Sequence, residues 1–101
     1  MYVVEILLPL YGNDGQPFGA GMFVEVRKEL VDRFGGLTAF TRSPAEGLWA
    51  DEGEVTRDDI VIFEVMADVL DRGWWSDFRK RLERMFEQEA IVVRAREVAI
   101  L

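Results

Sequence analysis

The sequence predicts an α+β domain: one four-stranded antiparallel sheet with two helices packed on one of its faces. Three observations carry this. Four segments are apolar at strand spacing and two are apolar at helical spacing, in the order strand, helix, strand, strand, helix, strand. The first, third and fourth strands each carry an apolar row fit to lie under the helices. The chain has 101 residues, half of them apolar, which suits a single core and a single domain spanning residues 1–101.

The first strand is Tyr2 to Leu10, with Glu5 its one charged residue and Pro9 near its end. Tyr11-Gly12-Asn13-Asp14-Gly15-Gln16-Pro17 is dense in turn formers and forms a loop. Its glycines do not make a phosphate loop, since the Gly-Lys-Ser/Thr sequence is missing. Met22, Phe23, Val26, Leu30 and Phe34 then recur at helical spacing opposite Glu25, Arg27, Lys28, Glu29 and Asp32. Gly35-Gly36 ends this helix, because glycine takes the left-handed C-terminal conformation without a side-chain clash.

Leu37 to Arg42 is the second strand, broken at Ser43-Pro44 and continuing beyond a bulge through Gly47 to Ala50. Asp51-Glu52-Gly53-Glu54 is an exposed acidic turn, and Asp59 to Ala67 is the third strand. Asp71 leads into a second helix carried by Trp75, Phe78, Leu82, Met85 and Phe86. Asp77 with Arg81, and Arg79 with Glu83, are opposite charges four residues apart. Ile91 to Ile100 closes the fold as a fourth strand. One right-handed crossover in each half of this order gives the ferredoxin-like βαββαβ sandwich.

Alternation separates two sheet faces. Val4, Ile6 and Leu8, then Val61, Phe63 and Val65, then Ile91, Val93 and Ala95 are expected under the helices. The complementary rows, Val3, Glu5 and Leu7; Ile60, Ile62, Glu64 and Met66; Thr38, Phe40 and Arg42; and Val92, Arg94 and Arg96, form an open face. Central first and third strands place Glu5 beside Arg94 or Arg96, and Glu64 beside Arg42. The open face is too apolar for water, at or above the ~300–600 Å² of the largest patch on a typical monomer. A second copy is its simplest cover, giving a homodimer.

The candidate ligand-binding residues are Glu5, Arg42, Glu46, Trp49, Glu64, Arg94 and Arg96. The charged set among them has two readings: a pocket for a small, anionic or amphipathic ligand, or cross-strand ion pairs that fix the dimer register, the second being the commoner arrangement. Glu46 is either an acid or base at a cavity mouth or an exposed residue of a bulge. The candidate interface residues are Phe40, Ile60, Ile62, Met66 and Trp74. Trp75 fits the core row, whereas its neighbour Trp74 points elsewhere.

Composition excludes several functions. With no cysteine and no histidine there are no disulfides, thiolate or imidazole metal ligands, Ser-His or Cys-His nucleophile systems, or histidine bases. No metal, no cofactor and no catalytic residue is expected. Nineteen acids against 12 bases give a net charge of −7, the wrong sign for a nucleic-acid-binding surface. No apolar run approaches the ~18 residues of a membrane span. The N-terminus lacks the basic start and cleavage site of a signal peptide, so the expected location is cytoplasmic.

Leu10-Tyr11-Gly12, Asp14-Gly15, Phe34-Gly35-Gly36-Leu37-Thr38 and Gly47-Leu48-Trp49 carry a resemblance. In these pieces the chain resembles a family of small bacterial ferredoxin-like domains of unknown function. Ser43-Pro44-Ala45-Glu46 departs from that pattern. The resemblance implies the fold and brings no catalytic residue with it. The architecture is also similar to the dimeric alpha–beta barrel superfamily, and the absence of histidine argues against its heme-ligating branch. Two functional expectations follow: a homodimeric binding module that uses its open sheet face, or a cofactor-independent enzyme with its site between two facing sheets.

Overall fold

A computed structural model describes residues 1–51 and 54–101, with side chains described for 1–40 and 59–101. The elements are β1 (Tyr2–Pro9), α1 (Ala20–Phe34), β2 (Thr38–Asp51), β3 (Glu54–Ala67), α2 (Arg72–Met85) and β4 (Val93–Glu97). The sheet is antiparallel, in the order β2-β3-β1-β4. This is the ferredoxin-like order, with β1 and β3 central and both helices on one face.

The alternation of β1 and β3 decides which face they cover. Val4, Ile6, Leu8, Val61, Phe63 and Val65 are all buried and form one cluster with Val26 and Leu30 of α1 and Trp75, Phe78 and Leu82 of α2. Met22, Phe23 and Phe34 pack against its rim. Two expected core positions differ. Met85 is exposed, whereas Phe86, expected on the same row, lies just past the end of α2 and is fully buried. Ala95 is exposed, because α2 does not extend over that end of β4.

Each helix end has a local cause. Gly35 sits at φ 82° and donates its N–H to the Val31 carbonyl at 2.8 Å, closing α1 in the left-handed conformation. Asp71 caps α2 by accepting the Trp74 N–H at 3.0 Å. Of the two expected pairs along α2, Arg79–Glu83 forms, at 2.9 Å. Arg81 instead makes a two-pronged pair with Glu29 of α1, the shorter contact being 2.6 Å. A carboxylate on the neighbouring helix offers fork geometry that a four-residue neighbour does not.

The break expected at Ser43-Pro44 is present. The β2–β3 register shifts between Phe40 and Ala45, so Phe40 faces Ile62 while Ala45 faces Ile60. β3 starts earlier than expected, at Glu54, and its outer half pairs with β2 alone, beyond the end of β1. β4 is shorter than the expected Ile91–Ile100. Its N-terminal approach is held by a side chain as well as by β1: the Ile91 N–H donates to Glu83 Oε2 at 2.9 Å, and the Leu7 N–H donates to the Val92 carbonyl at 3.0 Å.

Glu83 therefore ties α2 to β4. The Ile91 N–H is the main cause that lowers its pKa below the ordinary 4.5; burial opposes this, and Arg79 adds to it. A carboxylate with a depressed folded pKa contributes stability above its unfolded pKa and loses it as pH falls through the folded value. Thermal melts from pH 6 to pH 3 are expected to show a shallower loss for Glu83→Gln than for the wild type. The variant is expected to be the less stable of the two at pH 7. Parallel pH profiles would show that the tie carries no charge-dependent stability.

Candidate functional site

The helix-free face is built by the second row of each strand. Register places Arg94 opposite Glu5, Glu5 opposite Glu64, and Glu64 opposite Thr38. One polar row thus crosses all four strands, charged on β4, β1 and β3 and ending at Thr38 on β2. Above it lie Arg96, Val3 and Met66; below it lie Leu7, Ile62 and Phe40.

Glu5 and Glu64 are like charges directly opposed on the two central strands, an arrangement that destabilises unless it is compensated. The compensation comes from β4. Arg94 Nη2 lies 3.4 Å from Glu5 Oε2. Arg96 Nη1 pairs with Glu5 Oε1, and Arg96 Nη2 lies 3.7 Å from Glu64 Oε1. Since β3 lies beyond β1 from β4, Arg96 must cross over β1 to reach Glu64. That crossing accounts for Val3, which is only 4% exposed on a face with no covering layer. The Glu5 side chain is 15% exposed, and both arginines remain more than half exposed.

The structure brings Glu5, Glu64, Arg94 and Arg96 together. Among the described residues Glu64 pairs with Arg96, and Arg42, its expected neighbour, falls in the register break between β2 and β3. The side chains of Arg42, Glu46 and Trp49 lie outside the described residues. Phe40, Ile60, Ile62 and Met66 share the open face, where Phe40 is 47% and Met66 48% exposed. Trp74 lies in the helical layer. It stacks on Phe78 with ring centroids 4.9 Å apart, and the Arg33 guanidinium covers it at 4.2 Å.

Concave features among the described residues were not foreseen, two of them against the sheet. Phe34 to Thr38 and Glu64 to Met66 wall a cleft of about 370 Å³ at one end of the open face. The Phe34-Gly35-Gly36-Leu37-Thr38 run therefore turns the chain and lines a concavity together. A second cleft lies between α2 and β4, and Arg72, Trp75, Ser76 and Arg79 contribute to it. Their spacing along α2 was the available signal, but it needed the position of β4 to become a site. Among the described residues, no group of acidic side chains is arranged to hold a metal ion. Among the same residues, no helix is long and apolar enough to cross a membrane.

No family model and no curated protein matches the chain. Solved structures do. A phage SAM lyase in complex with S-methyl-5'-thioadenosine superposes with a TM-score of 0.66 at 17% identity, over 95% of this chain and 80% of its own. CutA1 from Pyrococcus horikoshii gives 0.60 at 13% identity, over 100% of this chain and 86% of its own. The PII-like protein CutA from Nostoc sp. PCC 7120 gives 0.56 at 14% identity, over 97% and 81%. At such identities the likeness is one of fold, and fold does not assign function. The chain shares with these proteins a small ferredoxin-like sandwich.

Proposed function

We propose that the protein is a homodimeric binding module whose interface is the helix-free sheet face. The observation that carries this is the pairing of exposure with chemistry on that face. Phe40 and Met66, two large apolar side chains, are about half exposed there, beside the partly exposed Leu7, Ile60 and Ile62. The charges between them are already neutralised within the chain, two carboxylates by two guanidiniums. A second sheet can thus cover the face without stranding a charge. Two-fold self-association is the commonest way such a face is covered.

Light scattering at micromolar concentration is expected to give twice the 11.6 kDa chain mass. Ile62→Asp with Met66→Asp is expected to convert the dimer to a monomer, and Met66→Asp alone to weaken it. Circular dichroism would show that each variant keeps its fold. A wild-type monomer at that concentration, or a dimer unchanged by the double substitution, overturns the proposal.

A further inference from the structure

The helical layer leaves one sheet edge uncovered. Val4 beneath it is buried, Val93 is half-buried and Ala95 is exposed, although all three belong to the helix-facing rows. The gap is a cleft of about 400 Å³, within the usual range for small-molecule sites. One wall is a single face of α2, carrying Arg72, Trp75, Ser76 and Arg79 at helical spacing. The other is the outer edge of β4 at Val93 and Ala95.

Its lining is unusual for this chain. Acids outnumber bases 19 to 12 overall, yet among the described residues no carboxylate lines the cleft. Arg72 is exposed and makes no ion pair among the described residues. Arg79 gives Nη1 to both Glu83 oxygens, at 2.9 and 3.1 Å, which fixes its guanidinium and leaves other donors unused. Arg94 borders the cleft, but its guanidinium is engaged by Glu5 on the opposite face.

The backbone adds free donors and acceptors at the strand edge. Leu7 N–H bonds to Val92 O, and Val98 N–H bonds to Met1 O. By antiparallel alternation the amides of Val93 and Ala95, between these two residues, point away from β1 toward the free edge. The cleft therefore combines guanidinium donors and a serine hydroxyl with an apolar side formed by Trp75 and Leu70, beside a free strand edge that presents both the N–H and the C=O groups of Val93 and Ala95.

We infer that this cleft binds a small organic anion, a carboxylate or phosphate carried on an apolar or aromatic group. The site lies on the other side of the sheet from the open face, so it stands whether or not that face dimerises. Phenyl phosphate and benzoate are suitable probes, followed by amide chemical shifts in NMR titrations of the intact protein. Saturable shifts are expected at Ser76, Arg79 and Ala95. Arg72→Gln is expected to weaken binding by about tenfold or more, as loss of a charge-assisted contact does. Arg84→Gln, an equal loss of charge in the last turn of α2, is expected to leave affinity unchanged. Inorganic phosphate is expected to bind more weakly than phenyl phosphate. Three results each overturn the inference: no saturation by either probe at millimolar concentration, equal weakening by both substitutions, or equal binding of phosphate and phenyl phosphate.

Discussion

Phe63→Ala is expected to destabilise the protein by about 3–5 kcal/mol, the usual cost of removing a buried phenyl ring. Phe63 is 1% exposed and sits at the middle of the sheet, opposite Ile6 on β1 and Ala39 on β2. Its ring meets Phe23 of α1 edge-on, with centroids 6.5 Å apart, and Arg27 lies over it at 6.0 Å. The substitution therefore opens a void between the sheet and α1, where two rigid layers collapse poorly. Domains of this size have about 5–15 kcal/mol in total, so a large share is lost. The melting temperature is expected to fall by about 15 °C or more. Phe63→Leu keeps most of the volume and is expected to cost under about 1.5 kcal/mol. Thermal unfolding followed by circular dichroism separates the two. Equal, small effects would mean that the layer contact is loose.

What was legible in the sequence was what strand and helix periods encode locally. Val4, Ile6 and Leu8 against Val3, Glu5 and Leu7 sorted the faces before any register was known, and Gly35-Gly36 and Ser43-Pro44 marked a helix end and a strand break. What escaped depended on which elements become neighbours. The rule of four residues along one helix paired Arg81 with Asp77, and only the packing of α1 on α2 supplies Glu29. Alternation placed Glu5 and Glu64 on one face, yet their direct opposition is a property of register, and with it the bridging role of Arg96. Residues 56–58, polar and close to an acidic turn, resemble a loop in composition, although the β2–β3 ladder extends through them. The cleft beside β4 escaped for the same reason. Its two walls lie far apart in sequence, and neither wall alone forms a concavity.

Trp75→Ala is expected to be about as costly as the loss of Phe63, and more selective in what it loosens. Trp75 is 6% exposed and stacks on Phe34, the last residue of α1, with centroids 5.2 Å apart and planes 13° from parallel. It also meets Trp74 and Phe78 edge-on, at 4.8 and 5.7 Å. The cluster pins the C-terminal end of α1 to the first turn of α2, next to the Asp71 cap and the Gly35 turn. Removing the indole is expected to cost about 3–5 kcal/mol. Trp74→Ala should cost less, since Trp74 is part-exposed and one of its faces is covered by the exposed Arg33. A double-mutant cycle with Phe34→Leu tests the stacking itself. Aromatic pairs contribute about 0.5–1.5 kcal/mol beyond the area they bury, so the two substitutions should combine with a coupling of that size. Strict additivity in chemical denaturation would show that the two rings serve the core independently, and that the helix ends are held by Asp71 and Gly35 without them.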